Sequence, residues 1–254
     1  MKKKNERRIA MLLTIMMLVM NLIVSPVWAA PGDVAINKDN FPDANFRSYV
    51  SIYFDKDSNG VLSQDELDAV KDINVNEKNI TTLEGVEYFT ELKYLYCQVN
   101  QLRALDVTKN PKLIDLFCGD NQLTALNVTK NPELVQLRCG SNQLRALDVT
   151  NNPELKVISC IMNELTALDV TKNSKLVGLN CSYNKLTALN VTKNPKLKNL
   201  YCVSNKLTSL DLNANTNITE FSGNDQKYDI AVDKNMMTFD LKSLPGDFDP
   251  LKAS

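Results

Sequence analysis

The six cysteines of this 254-residue chain are Cys97, Cys118, Cys139, Cys160, Cys181 and Cys202, each 21 residues after the one before. A fixed period of this length restricts the chain to a stack of similar rungs, because so short a unit cannot bury a core of its own. One unit, residues 113–132, reads LIDLFCGDNQLTALNVTKNP. Its skeleton is L-x-x-L-x-C-x-x-N-x-L-x-x-L-x-V-x-x-N-P, and units of this form start at Leu92, Leu113, Leu134, Leu155, Leu176 and Leu197. A degenerate unit starts at Ile218, with Phe221 and Gly223 in the Leu and Cys places. An irregular first unit starts near Val70, with Ile73 and Val75 in its strand.

The spacing has a physical reading. Leu116 and Cys118 are two residues apart, so they point to one side of a short strand. Asn121 and its equivalents Asn100, Asn142, Asn163, Asn184 and Asn205 fall where the chain turns. A side-chain amide there bonds backbone groups that have lost their ladder partners. Leu123, Leu126 and Val128 bring the return arm over the core, and Asn131-Pro132 turns the chain into the next rung. Rungs of this kind stack into a parallel sheet at about 4.8 Å per rung. The pattern resembles leucine-rich repeats over residues 70–228, with Cys replacing one Leu, and NITTLEGVEYFTELKYL resembles the start of a bacterial internalin-type array. The resemblance implies an α/β repeat solenoid: a right-handed horseshoe or arc, its parallel sheet on the concave face, in a bacterial protein secreted or held at the cell surface.

In such a chain six cysteines would ordinarily suggest three disulfides. Here equivalent inward positions lie about 4.7–4.9 Å apart on adjacent strands, whereas a disulfide needs Cβ atoms about 3.8 Å apart. The cysteines therefore read as a ladder of buried thiols packing as small hydrophobes. A metal role has little support without a C-x-x-C pair.

The ends read differently. MKKKNERR followed by a 16-residue uncharged run and SPVWAA resembles a secretory leader, cut after Ala29; an uncleaved anchor is the alternative. Removing residues 1–29 leaves 24 basic and 29 acidic residues, a net charge of −5, which argues against a nucleic-acid partner. The chain has no His, which excludes Ser-His-Asp and Cys-His catalysis and His-ligated zinc. Residues 229–254 read as a short β-like segment with a Pro-Gly turn and no sorting signal, so the chain is either freely secreted or part of something longer.

Residues 30–69 read as a small helical cap. Within it, DKDSNGVLSQDE at 55–66 matches the EF-hand calcium loop D-x-D-x-N-G-x-L-x-x-x-E in every ligand position. That resemblance assigns calcium to side-chain oxygens of Asp55, Asp57 and Asn59, the Val61 carbonyl, Ser63 directly or through water, and both oxygens of Glu66. Gly60 makes the turn and Leu62 anchors the loop. PDANFRSYVSIY before the loop has helical periodicity starting at Pro42, and Ser63–Glu66 reads as a capping box. Internalin caps keep this shape without calcium, which is the competing expectation. A dockerin would need a second loop; the best match, at residues 211–215, has Thr216 in the Gly place and falls in repeat register.

The exposed strand positions form the expected binding surface. Tyr94, Tyr96, Phe117 and Arg138 gather toward its N-terminal end and Tyr201 toward the other, aromatic and Arg residues being favoured in binding hot spots. Lys109, Lys130, Lys172 and Lys193 read as a solvated edge. The sequence thus points to a monomeric, non-enzymatic module recognising a protein or cell-surface ligand, with one structural calcium. A spacer role within a larger surface protein is the alternative.

Overall fold

The 21-residue period resolves into one short strand per rung. The structure is a computed structural model, and it describes residues 32–226 together with the backbone of the strand Ala231–Val232. The expected leader, and the C-terminal segment apart from that strand, lie outside the described residues.

The repeat strands are β3 (Asp72–Asn74), β4 (Tyr94–Tyr96), β5 (Asp115–Phe117), β6 (Gln136–Arg138), β7 (Val157–Ser159), β8 (Gly178–Asn180), β9 (Asn199–Tyr201) and β11 (Glu220–Ser222). They form one eight-stranded sheet in that order, all parallel. The register aligns the repeat: Ile73, Leu95, Leu116, Leu137, Ile158, Leu179, Leu200 and Phe221 are successive partners. All but Phe221 are buried, while the residues on either side of each face outward to varying degrees. The Cys lies one residue past its strand, yet its N–H still continues the ladder, as from Cys118 to Arg138 O at 2.8 Å. On the return side, β10 (Ser209–Leu210) pairs in parallel with β12 (Ala231–Val232).

All six thiols are free and buried, so the ladder forms without disulfides. Two further columns are amides. Asn121 Nδ2 donates to Cys97 O, Cys118 O and Gly119 O, and its Oδ1 accepts from Leu102 N–H at 3.0 Å. The same set recurs at Asn142, Asn163, Asn184 and Asn205. In the last described rung Gln226 takes the place, donating to Cys202 O and accepting from Leu207 N–H.

The Asn of Asn-Pro does more than turn the chain. Asn131 Nδ2 donates to Val107 O at 2.9 Å and Asn110 O at 2.8 Å, both in the rung before. Asn110, Asn152, Asn173, Asn194 and Asn215 do the same, and all six are nearly or fully buried. Asn215 thus belongs to the repeat, not to a second calcium loop.

The cap contains β1 (Val34–Ala35), α1 (Ala44–Tyr53), β2 (Val61–Leu62) and α2 (Gln64–Ala69). Helix α1 begins two residues later than Pro42 because Asp43 is its N-cap, with Oδ1 accepting from Asn45 and Phe46 N–H. The capping box at Ser63 and Glu66 is present with both bonds. Phe41, Phe46, Val50, Leu62 and Leu67 join the core that continues into the repeat, and Phe54 meets Phe89 edge-on at 5.3 Å. Asp43 Oδ2 closes the joint, accepting from Thr81 N–H and Oγ1–H at 2.8 Å each.

Candidate functional site

The sheet face is where rungs stop resembling one another. Partner registers place Asp72, Tyr94, Asp115 and Gln136 in one column and Asn74, Tyr96, Phe117 and Arg138 in the next. Tyr96 meets Phe117 edge-to-face at 5.0 Å, and the Arg138 guanidinium lies 4.7 Å over the Phe117 ring. Tyr96 Oη donates to Asp115 Oδ2 at 3.5 Å, as does Gln136 Nε2 at 3.4 Å. Burial raises the Asp115 carboxyl above its ordinary range, against smaller lowering by Tyr96, Arg138 and Gln136. Burial likewise raises the Tyr96 phenol, with the fields of Asp115 and Asp72 adding to it.

Four of the five expected recognition residues therefore adjoin: Tyr94, Tyr96, Phe117 and Arg138. Tyr201 does not join them. It stands on β9, three strands beyond Arg138, and its hydroxyl bonds Glu220.

The structure adds residues that the repeat pattern could not supply. Tyr49 of α1 reaches the first rung, where its hydroxyl accepts from Asn74 N–H at 3.2 Å. Its ring lies 4.6 Å from that of Tyr53, which is exposed, as is Ile52 beside it. The aromatic surface thus runs from the cap onto the sheet. Its only sequence signal was the helical spacing of Tyr49 and Tyr53, which faces them alike but does not say toward what.

The second candidate is the loop at 55–66. Asp55, Asp57 and Glu66 each offer a carboxylate oxygen, all within 4.8 Å of one another. Asp55 is buried, its oxygens accepting from Asn59 and Gly60 N–H. Gly60 takes φ +82°, which side-chain-bearing residues rarely adopt. Glu66 reaches across the loop: Oε1 accepts from Lys56 N–H at 2.6 Å, and Oε2 from Ser63 N–H at 2.9 Å and from the Ser63 hydroxyl at 2.8 Å. Burial raises the Glu66 carboxyl, but the Ser63 and Lys56 N–H groups and the Ser63 hydroxyl outweigh it and hold it below the usual range.

Strand β2 carries loop residues 61 and 62 and pairs antiparallel with β1, Ala35 opposite Val61. Ile36 N–H donates to Gly60 O, so the ladder bonds flank Val61 and its own polar groups face the other way. Val61 N–H accordingly donates to Asn59 Oδ1 within the loop. Asn59 Nδ2 donates to Asp57 Oδ2.

No family model matches the chain. Internalin J of Listeria monocytogenes is 35% identical over 79 residues, which is 31% of this chain and 9% of that protein. A solved structure described as the functional domain of InlJ from Listeria monocytogenes, including a cysteine ladder, aligns at 32% identity with a TM-score of 0.62. The alignment covers 77% of this chain and 48% of that one, so the chain spans about half of the solved domain. Internalin C2 from the same species aligns at 19% identity and TM-score 0.71, over 81% of this chain and 99% of the other. The fold is an internalin-like leucine-rich-repeat solenoid.

Proposed function

We propose that this chain is an extracellular recognition module of a bacterial surface, presenting its sheet face to a protein ligand and acting as a monomer. One observation carries the reading: Tyr94, Tyr96, Phe117 and Arg138 adjoin on the sheet face, although no column beneath them requires aromatic or charged residues there. Aromatic and Arg side chains grouped on a rigid support are the composition of binding hot spots. The leader-like N-terminus and the resemblance to internalins support an extracellular setting. Pull-down of host-cell-surface and cell-wall material with residues 30–254 tests this, beside a Tyr96→Ala/Phe117→Ala variant. Specific capture is expected, falling at least tenfold in the variant while its melting temperature stays within a few degrees. No capture, or equal capture by both, retires the reading in favour of a spacer.

The cap loop is proposed to hold one structural calcium ion. Oxygens around a calcium ion at about 2.3–2.6 Å can stand at most about 5 Å apart, and the three carboxylates meet that limit. Asp55, Asp57, Asn59, the Val61 carbonyl, Ser63 and Glu66 would hold the ion, with Asn59 exchanging its bond to Asp57 for a contact through its oxygen. The ion would supply positive charge that lets three carboxylates share one loop and so fix the cap against the first rung. Isothermal titration with CaCl₂ up to millimolar concentrations tests this. Binding heat and a raised melting temperature are expected, both lost in Asp55→Ala; neither appearing in the native chain retires the ion.

A further inference from the structure

We infer that the N-terminal end of the sheet face, with the cap's first helix, receives a basic protein segment, one Lys or Arg side chain seating against Tyr94 and Tyr96 between Asp72 and Asp115. This rests on the reading of that face as a recognition surface and names the chemistry it selects. Tyr94 stands between the two carboxylates in one column, one strand, or about 4.8 Å, from each. Among the described residues neither carboxylate has a salt bridge: the ion pairs involve Glu91, Glu154 and Glu164. Asp115 is only 9% exposed, and its side-chain bonds, to Tyr96 and Gln136, are long. Asp115, nearly withdrawn from water with only the field of Arg138 to offset its charge, and the exposed Asp72, with no cation paired to it, present negative charge that an arriving cation balances.

The aromatic faces add to this. A ring face attracts a cation, and this surface already holds one such contact, Arg138 over Phe117. With Phe117 so occupied, the aromatic faces left for a ligand are those of Tyr94 and Tyr96, on the acidic side. Tyr49 prolongs the surface into the cap: it bonds Asn74 and feels the field of Asp72, and exposed Tyr53 lies against it. That length suits an extended segment better than a lone cation. The other end of the face is different. Its columns over β7 to β9 read Val157, Gly178, Asn199 and Ser159, Asn180, Tyr201, with no carboxylate before Glu220, which Tyr201 already engages.

The test uses residues 30–254 and fluorescein-labelled peptides of alternating Lys and Gly, Arg and Gly, or Glu and Gly, followed by anisotropy at physiological salt. Basic peptides are expected to bind and the acidic one not. Asp72→Asn/Asp115→Asn should weaken basic-peptide binding at least tenfold. Asp148→Asn/Asp169→Asn, on the return arm, makes the same change in net charge and should stay within twofold; Asn already occupies that column at Asn127 and Asn190. Should the first double variant fail to fold, the exposed Asp72→Asn alone is expected to weaken binding at least threefold. Equal losses in both double variants would mean bulk charge and overturn the inference, as would preference for the acidic peptide. If no basic peptide binds but Tyr96→Ala/Phe117→Ala still abolishes capture of a surface ligand, the basic-segment inference falls and the recognition face stands.

Discussion

Moving up the solenoid one rung at a time, the interior columns repeat and the sheet-face columns do not. Leu95, Leu116, Leu137, Ile158, Leu179 and Leu200 succeed one another almost unchanged and buried, while Tyr96, Phe117, Arg138, Ser159, Asn180 and Tyr201 change at every step directly beside them. Each interior side chain packs on its own equivalents above and below, so one residue that fits must fit every time. A face residue needs only strand-compatible geometry and is otherwise free. Repeating the columns inside while varying those outside separates the residues that must pack from those free to differ within a three-residue strand.

The sharpest test of the interior is pH. Burial pushes the Cys97, Cys160 and Cys202 thiols up to about 12, and those of Cys118, Cys139 and Cys181 well above their ordinary value. A raised folded pKa stabilises fully below the unfolded value, and that stability is lost as pH rises toward the folded one. Unfolded thiols ionise from about pH 8.5, and each then removes about 1.4 kcal/mol per pH unit. Six acting together remove on the order of 10 kcal/mol by pH 10, comparable to the whole net stability of a typical domain. The melting temperature, followed under reductant, should collapse between pH 8.5 and 10. Replacing Cys118, Cys160 and Cys202 with Ala should roughly halve that slope whatever it does to stability at neutral pH. An unaltered slope would show that the column does not titrate as buried thiols. The cap should fail at the opposite limit. Burial raises the Asp43 carboxyl, but the N–H groups of Thr81, Phe46 and Asn45 and the Thr81 hydroxyl outweigh it, and Glu66 is likewise held low. Their contribution is present above the ordinary carboxylate pKa, about 4, and lost as pH falls through the lowered folded values. Amides of α1 should therefore lose hydrogen-exchange protection in acid before those of the repeat.

A smaller but still large effect belongs to the second amide column. Asn152 is fully buried, and its Nδ2 clips Val128 O and Asn131 O at 2.8 Å each. Asn152→Ala removes one of two hydrogen bonds at each carbonyl, leaving Val128 O with Asn131 N–H and Asn131 O with Leu134 N–H, at about 0.5–1.5 kcal/mol apiece, so denaturant unfolding should show a loss of about 1–3 kcal/mol. The Oδ1 of this Asn, like those of its five equivalents, is buried without a hydrogen-bond partner. Asp would keep that oxygen and lose both donors, so Asn152→Asp should be worse than Ala. Tyr96→Ala/Phe117→Ala should cost less than Asn152→Ala, because both side chains remain partly exposed.

The interior was legible because it repeats. The cysteine spacing alone set the rung length, the strand register and the buried Leu column, and the Asn after each Cys announced its backbone bonds. The second Asn column was readable only as a turn, since its partners lie 21 and 24 residues upstream, where no local pattern points. A buried polar residue at the same place in every rung was the overlooked signal. The face was legible in part. Tyr94, Tyr96, Phe117 and Arg138 followed from strand alternation, but the contribution of Tyr49 and Tyr53 depends on how the cap docks, a unique event with no period. The pairing of Val34–Ala35 with the calcium-type loop was invisible for the same reason.

One column breaks the division between repeating inside and varying outside, and it yields the smallest prediction. Val99, Asp120, Ser141, Met162, Tyr183, Ser204 and Asp225 vary freely in side chain, yet each takes a left-handed backbone with φ between +52° and +55°. The chain needs that twist to swing the following Asn, or Gln226 in the last case, into its bonds. None of the seven is Gly, and nothing in C-x-x-N marks the position. For an L-residue the conformation costs about 1–2 kcal/mol, more for a β-branched side chain and less for Asn or Asp. Val99 is the β-branched member, and half its surface is exposed, so little packing is lost on replacing it. Val99→Asn should therefore stabilise the fold by up to about 1 kcal/mol, read as a rise of a few degrees in melting temperature. Asp120→Val, the reverse change one rung on, should destabilise by a similar amount. If both substitutions were neutral, the left-handed turn would be imposed by the Asn bonds alone, and the exposed column would be as unconstrained as the sheet face.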